Sequence, residues 1–511
     1  MARRNGLCLR LDETRLAITM ILKTACLTFG TLFVCWVANP SLIAETPGRP
    51  PNIVFILADD LGWRDLGCQG STFYKTPNID RLAGQGMRFT NAYAACSVCS
   101  PTRASLLTGK YPARLHLTDW LPGQASRPSQ ILKSPTILTH LPREELTLPE
   151  TFKQHGYVTG IIGKWHLGGS GFLPAQYGFD VNIAGCELGH PPSYFSPYRI
   201  PTLTDGPKGE YLTDRLSDEA EKFLESNKNK PFFLYLAHYA VHNPQQAKAE
   251  MISRWRARAA ELPPASGPDF LPEGGVRTRQ IQDQPVYGAM VESLDEGVGR
   301  VLAKLDDLGI AKNTIVIFFS DNGGLSTAEG SPTSNVPLRA GKGWPYEGGV
   351  REPLIVRWPG VTRPGSVCET PTISTDFYPT LLEAAGLPSQ PSQAVDGASF
   401  VSLLKGGVMP ERPLFWHYPH YSNQGGPPCG AMRLGDYKLI EWYEDMRAEL
   451  FNLKSDSGEK QDIAAQMPEK ASAMLKQLHS WRASIGADMP IPNPNHKPAP
   501  KPVALAYIDD D

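Results

Sequence analysis

Four short apolar runs interrupt an otherwise mixed chain: Asn52–Ala58 (NIVFILA), Tyr157–Gly163 (YVTGIIG), Phe232–Ala237 (FFLYLA) and Thr314–Ser320 (TIVIFFS). None alternates apolar with polar positions, so each reads as a strand covered on both faces. A fifth run, Pro353–Pro359, has the same texture. Between them the period changes. Val286, Met290, Leu294, Val298, Val301, Leu305 and Leu308 form one stripe at helical spacing, and Gly309 follows as a stop. Asp376–Ala385, ended by Gly386, is a second such helix. Strands alternating with helices predict an α/β domain: a large, mainly parallel sheet flanked by helices. Past about Pro410 the texture shifts. LFWHYPHY, AMRLGDYKLIEWY and AELFNL alternate as antiparallel strands do, and Met467–Ile485 is amphipathic. These predict a smaller C-terminal α+β subdomain carrying an antiparallel sheet. The division expected is a catalytic α/β domain over 45–410, the subdomain over 411–486 and a Pro-rich tail over 487–511.

Composition adds little except exclusions. The chain has 511 residues, 41% hydrophobic and 20% charged, ordinary for a globular protein with a sizeable core. A net charge of −2 argues against bulk electrostatic binding of nucleic acid. The first residues are different. Met1–Arg15 is basic, and the uncharged run Thr24–Val37 is shorter than the roughly 20 residues of a membrane span. It closes in ANPSLIAETPG. Residues 1–44 therefore read as a signal peptide, cleaved near Ala44, with Met20 an alternative start and an uncleaved anchor the rival reading. The mature protein is expected to be exported, periplasmic or secreted, with no stable membrane span. Cys8, Cys26 and Cys35 leave with the signal. Cys68, Cys96, Cys99, Cys186, Cys368 and Cys429 remain, at spacings that suggest no dense disulfide framework.

Candidate chemistry gathers at the strand ends, where ligands bind in open parallel sheets. Asp59 and Asp60 follow the first run, Lys164 and His166 the second, His238 and His242 the third, Asp321 and Asn322 the fourth. Asp59, Asp60, Asp321 and Asn322 are hard oxygen donors, suited to Ca²⁺ or Mg²⁺ rather than zinc. Either pair alone fits a helix cap or a turn equally well; both together at neighbouring strand ends favour a metal. Lys164, His166, His242 and Lys342 are weak signals singly. As a set around a divalent cation they would bind and polarise a small tetrahedral oxyanion. Cys99 fits poorly beside them, because a thiolate is a poor partner for an oxygen-ligated metal. Its C-x-x-C spacing with Cys96 would otherwise suggest a redox pair or half a zinc site.

The stretch CSPTRASLLTG, Cys99–Gly109, resembles the signature of type I sulfatases, a Cys-x-Pro-x-Arg pattern with a Leu-Thr-Gly ending. NIVFILADDLGW, GKWHLG, HNP, SDNGG, GKGWPYEGGVREP, STDFYPTLLEAAG and ELFNL follow that family's order, from about Pro51 to Pro490. The resemblance implies the alkaline-phosphatase-like fold of that superfamily. It also implies that a maturation enzyme oxidises Cys99 to Cα-formylglycine, reading the linear peptide through Pro101 and Arg103. By position, Asp59, Asp60, Asp321 and Asn322 would ligate Ca²⁺, with residue 99 completing the site. Arg103 would hold the modified residue. Lys164, His166, His242 and Lys342 would bind sulfate and move protons. The implied chemistry is attack on sulfur by the hydrated aldehyde, with Asp321 as ligand and candidate base. Lys164 and Lys342 would balance the equatorial oxygens, and His242 would protonate the leaving alcohol. His166 would then deprotonate the second hydroxyl to release sulfate, a step a serine could not perform.

The substrate expected is a sulfated carbohydrate rather than a small aryl sulfate. Asp119 and Trp120, in LHLTDWLPG, pair an acid with an aromatic ring as sugar sites do; packing of Trp120 in a core is the rival reading. FWHYPHY, Phe415–Tyr421, is a second pocket segment of the same ambiguity. Two other functions share parts of this pattern. A phosphatase or phosphodiesterase of the superfamily would need histidine ligands and an Asp-His pair where this chain has Asp321–Asn322. A catalytically silent protein binding sulfated glycans would not need every catalytic position filled.

Overall fold

Asn52–Ala58 and Thr314–Ser320 lie side by side and parallel, Ala58 opposite Ser320. This places Asp59 and Asp321 at one edge of the same sheet. The computed structural model describes residues 49–393 and 395–498. The expected signal segment 1–44 and residues 499–511 of the tail lie outside the described residues. The central sheet runs in the order Ser366–Cys368, Met87–Tyr93, Arg351–Arg357, Thr314–Ser320, Asn52–Ala58, Phe232–Ala237, Val158–Gly163, Val181–Ile183, with Thr372–Ile373 also pairing Met87–Tyr93. Arg351–Arg357 runs antiparallel to both of its neighbours, and the other strands share one direction.

The uninterrupted apolar runs follow from two cores, one on each face. Val54, Ile56, Val316 and Phe318 point to one side, against Leu216, Met290, Leu294 and Val298 of the helices Leu212–Asn227 and Pro285–Asp307. Ile53, Phe55, Leu57, Ile317 and Phe319 point to the other, against Leu106, Phe152 and Phe377. Phe55 meets Phe377 edge to face at 5.0 Å. Truncating such a fully buried ring to alanine costs about 3–5 kcal/mol. Met87–Tyr93 is the strand that the apolar runs do not announce. Arg88 and Thr90 on it are half-buried while Met87 and Phe89 are buried, so it alternates.

A second sheet, Leu414–Tyr418, Cys429–Leu434, Tyr437–Trp442 and Ala448–Asn452, is an antiparallel meander covered by the helix Pro468–Ser484. Its core includes Tyr93, Trp344, Tyr346 and Val350 of the larger layer. Fully buried Lys438 ties the two layers together, with Nζ 2.9 Å from Glu347 Oε1 and 3.0 Å from Glu459 Oε1. The start of the Pro-rich segment is docked: Ile491–Pro492 pairs with Leu132–Lys133, and Asn493 Nδ2 donates to the carbonyls of Arg127 and Gln130. Among the described residues no helix is long and apolar enough to cross a membrane.

Candidate active site

Cys99 opens a helix, Cys99–Thr108, whose every residue is buried. Three features of its sequence have local causes. Pro101 is the third helical residue, where a missing N–H removes no intrahelical bond. Gly109 ends the helix at φ 71°, its N–H donating to the Ser105 carbonyl at 2.9 Å. Arg103 lies four residues after Cys99, so both project from one face. That face meets the strand ends. Lys342 arrives from the loop before Arg351–Arg357. Because that strand runs antiparallel, its start lies at the edge where the parallel strands finish.

Each cation meets an acid. Arg103 Nε and Nη2 donate to Asp321 Oδ2 at 2.9 and 2.7 Å, and its Nη1 donates to the Lys164 carbonyl at 3.0 Å. Lys164 Nζ lies 3.1 and 2.8 Å from the two Asp59 oxygens. Lys342 Nζ lies 2.8 Å from Asp60 Oδ2. The acids are linked in turn: the Asp60 N–H donates to Asp321 Oδ1 at 3.2 Å, and Asn322 Nδ2 donates to Asp60 Oδ1 at 2.8 Å. Lys164 gets there through Gly163, at φ 107°, where a Cβ would sit 1.8 Å from the Ala237 carbonyl oxygen. Only glycine fits there.

The two histidines have opposite polarity. His166 Nε2 lies 2.7 Å from the Leu121 carbonyl, an obligate acceptor, so Nε2 carries the proton. Nδ1 is then the free acceptor, 3.3 Å from Cys99 Sγ. His242 Nδ1 lies 3.0 Å from the Asn243 carbonyl, so there Nδ1 carries the proton and Nε2 accepts from Lys342 Nζ at 3.0 Å. Burial and then Lys164 push the His166 pKa well below the usual histidine range. Burial and then Lys342 do the same to His242. Both shifts favour the neutral ring. Burial raises the Cys99 thiol, against the pull of Lys164 and Lys342. Burial also pushes up the Asp59 carboxyl, against Lys164. For Asp60 burial is outweighed by Lys342 and His242, which hold it below the carboxylate range.

These residues fit a hard divalent cation. Asp59, Asp60, Asp321 and Asn322 bring only oxygen donors and are fully or almost fully buried. Asn322 Oδ1 is buried with no hydrogen-bond partner, although its Nδ2 is bonded to Asp60, so one amide oxygen of the set is left over. Oxygens of Asp59 and Asp60 and a ring nitrogen of His242 also lie within 4.8 Å of one another. With all of them ionised, three carboxylates and three side-chain cations cancel. An added divalent cation leaves a site of positive charge for an anionic ester.

Asp119 and Trp120 lie apart from this cluster, joined to it by Leu121. Asp119 is buried and accepts from Tyr418 Oη at 2.8 Å and from the Trp120 N–H at 2.9 Å. Burial, partly offset by those bonds, raises its pKa to about 7. It lines a cavity of about 490 Å³ with Gln124, Lys133, His420 and Asn493. Trp120 packs, part-buried, against the core of the C-terminal sheet. Cys96 is buried, and the six described cysteines are all free. Two functional groups carry no sequence signal: the carbonyls of Leu121 and Asn243, which set the polarity of the histidines. Backbone acceptors have no residue type to read.

The family model described as Sulfatase matches residues 51–387, and that described as N-sulphoglucosamine sulphohydrolase, C-terminal, matches 340–484. A protein named Sulfatase from Formosa agariphila is 34% identical over 93% of this chain and 96% of its own. N-acetylgalactosamine-6-sulfatase from Mus musculus is 35% identical over 78% of this chain and 74% of its own. Among solved structures, Ps i-CgsB in complex with k-i-k-neocarrahexaose superposes with a TM-score of 0.69 at 30% identity, covering 85% of this chain and 93% of that one.

Proposed function

The chain belongs to the sulfatase family, and from that premise we propose that it is a calcium-dependent hydrolase of sulfate esters on a carbohydrate, with an oxygen nucleophile made by oxidising Cys99 to Cα-formylglycine. That it is a sulfuric ester hydrolase follows from the family itself. The observation that carries the finer reading is the position of Cys99. Its Sγ atom marks where the nucleophile would sit: first residue of a helix, 3.3 Å from His166 Nδ1, and close enough to Lys164 and Lys342 to feel their charge.

Asp59, Asp60, Asp321 and Asn322 would hold calcium, which when bound would polarise the sulfate and acidify the nucleophile. The hydrated aldehyde at residue 99 supplies the oxygen that a thiol lacks. The chain's own side chains do the rest. Lys164 and Lys342, held on Asp59 and Asp60 here, would turn to the anionic oxygens as calcium takes over those carboxylates. Arg103 fixes Asp321 by its two-nitrogen contact and keeps Lys164 in place through that residue's carbonyl. His166 Nδ1 is positioned to take a proton from residue 99, and the Leu121 carbonyl keeps that nitrogen unprotonated beforehand. His242 can take a further proton only at Nε2, the end bonded to Lys342. A proton given to the leaving alcohol therefore departs from the Nε2–Nζ pair.

A carbohydrate leaving group is supported by the cavity beside Leu121, lined by Asp119 and by amide and hydroxyl side chains. The names of the mouse relative and of the saccharide complex point to the same class. A maturation enzyme acting on the Cys99 segment completes the proposal, as does export directed by the expected signal peptide. The test is turnover of sulfated mono- and oligosaccharides and an aryl sulfate by protein co-expressed with a formylglycine-generating enzyme. Calcium-dependent sulfate release that is lost in Cys99→Ser, with the fold retained, is the expected result. Retained multiple turnover in Cys99→Ser would refute the nucleophile.

A further inference from the structure

The mouth of the site can be located from exposure. Asp321 is 0% exposed, Cys99 3%, Lys342 5% and His242 9%. Beyond His242 lie two exposed residues, His190 and Glu329. The His190 ring is parallel to that of His242, with centroids 6.0 Å apart and planes at 11°. On the other side, Glu329 Oε2 accepts from Asn243 Nδ2 at 3.2 Å, and Oε1 accepts from Gln424 Nε2 at 2.6 Å. Asn243 is the residue whose carbonyl holds His242, and Gln424 belongs to the C-terminal subdomain. The Gln424 carbonyl is itself fixed by Thr327 Oγ1 at 3.0 Å and Trp344 Nε1 at 2.9 Å. Glu329 is thus a braced carboxylate, held at φ 53°, on the exposed side of His242.

An acid there is unexpected on charge grounds. The site collects cations to bind an anion, and Glu329 opposes them. Its hydrogen-bond partners are neutral amides, which leave its charge uncancelled, and it is close enough to act on the Lys342 charge behind Asp60. We propose that Glu329 is a specificity-determining residue: it accepts from a hydroxyl beside the sulfated position and repels a second anionic group there, so that the substrate is a singly charged, hydroxyl-bearing sugar. This rests on the sulfated-carbohydrate reading above and narrows it. Two like charges about 6 Å apart, at a dielectric between protein surface and water, change binding about tenfold.

The test compares kcat/KM on N-acetylgalactosamine 6-sulfate and on its 4,6-disulfate, for wild-type enzyme and for Glu329→Gln. Wild type is expected to favour the monosulfate about tenfold, by a ratio that shrinks as salt is raised. Glu329→Gln should bring the ratio near unity and make it insensitive to salt; a merely structural role would not move the salt dependence. Glu329→Ala, read the same way, covers a folding defect in the first variant. An unchanged ratio and salt dependence in both variants would overturn the assignment while leaving the sulfatase reading intact. Wild type that turns over an aryl sulfate but none of the sulfated mono- and oligosaccharides of the panel would overturn the carbohydrate reading, and this inference with it.

Discussion

Removing the Arg103 guanidinium should damage the protein more than removing Arg103 together with its partner. Arg103 is fully buried and places two nitrogens on a single Asp321 oxygen, at 2.9 and 2.7 Å, with a third on the Lys164 carbonyl at 3.0 Å. Asp321 is itself fully buried. Arg103→Ala therefore leaves a carboxylate in the interior without its counter-ion, a loss of about 3–5 kcal/mol. Arg103→Lys keeps the charge but cannot reach both directions, so it should lose about 1.5–3 kcal/mol, the worth of a hydrogen bond to a charged group. Asp321→Asn in the Arg103→Ala background removes the stranded charge. The double variant should then be more stable than Arg103→Ala alone, with a coupling of about 2–3 kcal/mol. The assay is urea unfolding followed by tryptophan fluorescence, in chelator so that metal binding does not enter. If Arg103→Ala lies within about 1 kcal/mol of wild type, or if the two changes add without coupling, the guanidinium does not balance Asp321 and the account of the cluster is wrong.

Two further predictions concern the same region. Burial raises the Asp119 carboxyl from its ordinary value of 3.8 to about 7, so the folded protein holds a proton that the unfolded chain has released. Stability from this group is present at low pH and falls as pH rises from about 4 to 7, by at most about 1.4 kcal/mol per pH unit. Asp119→Asn should therefore be more stable than wild type at pH 8, with the gap closing towards pH 4; thermal melts across that range would show otherwise if the gap widened. Asn322→Ala removes the amide oxygen left without a partner. Calcium at about 100 times its Kd should stabilise chelator-treated wild type by about 2.7 kcal/mol, and the variant should need about tenfold more calcium, or more, for the same melting shift. Equal titration curves would remove Asn322 from the ligand set.

Much of the frame was legible because a parallel sheet with helices on both faces leaves its strands no polar side. Asn52–Ala58, Phe232–Ala237 and Thr314–Ser320 read directly, and polar residues just after them marked the reactive edge. Met87–Tyr93 was not legible by that rule, since half-buried Arg88 and Thr90 break its apolar run. The residue types of the cluster were also legible, but their pairing was not. Arg103 meets Asp321, Lys164 meets Asp59 and Lys342 meets Asp60 across separations of 218, 105 and 282 residues. Only the assembled sheet decides which acid faces which cation. The acid-plus-aromatic pair read as a sugar platform divides in space: Asp119 reaches a cavity, while Trp120 turns to the C-terminal core. Adjacent residues on an irregular loop have no fixed common face, so spacing alone could not have kept them together. Glu329 and His190 belong to loops with no periodicity at all.

The chemistry of the site turns on what residue 99 is in the working enzyme. Mass spectrometry of the peptide containing Cys99, from active protein exported by its native host, tests this directly. Conversion of the thiol to the aldehyde, confirmed by capture with a hydrazide and rising in step with specific activity, is the predicted result. Full sulfatase activity in protein whose Cys99 is an intact thiol would contradict it.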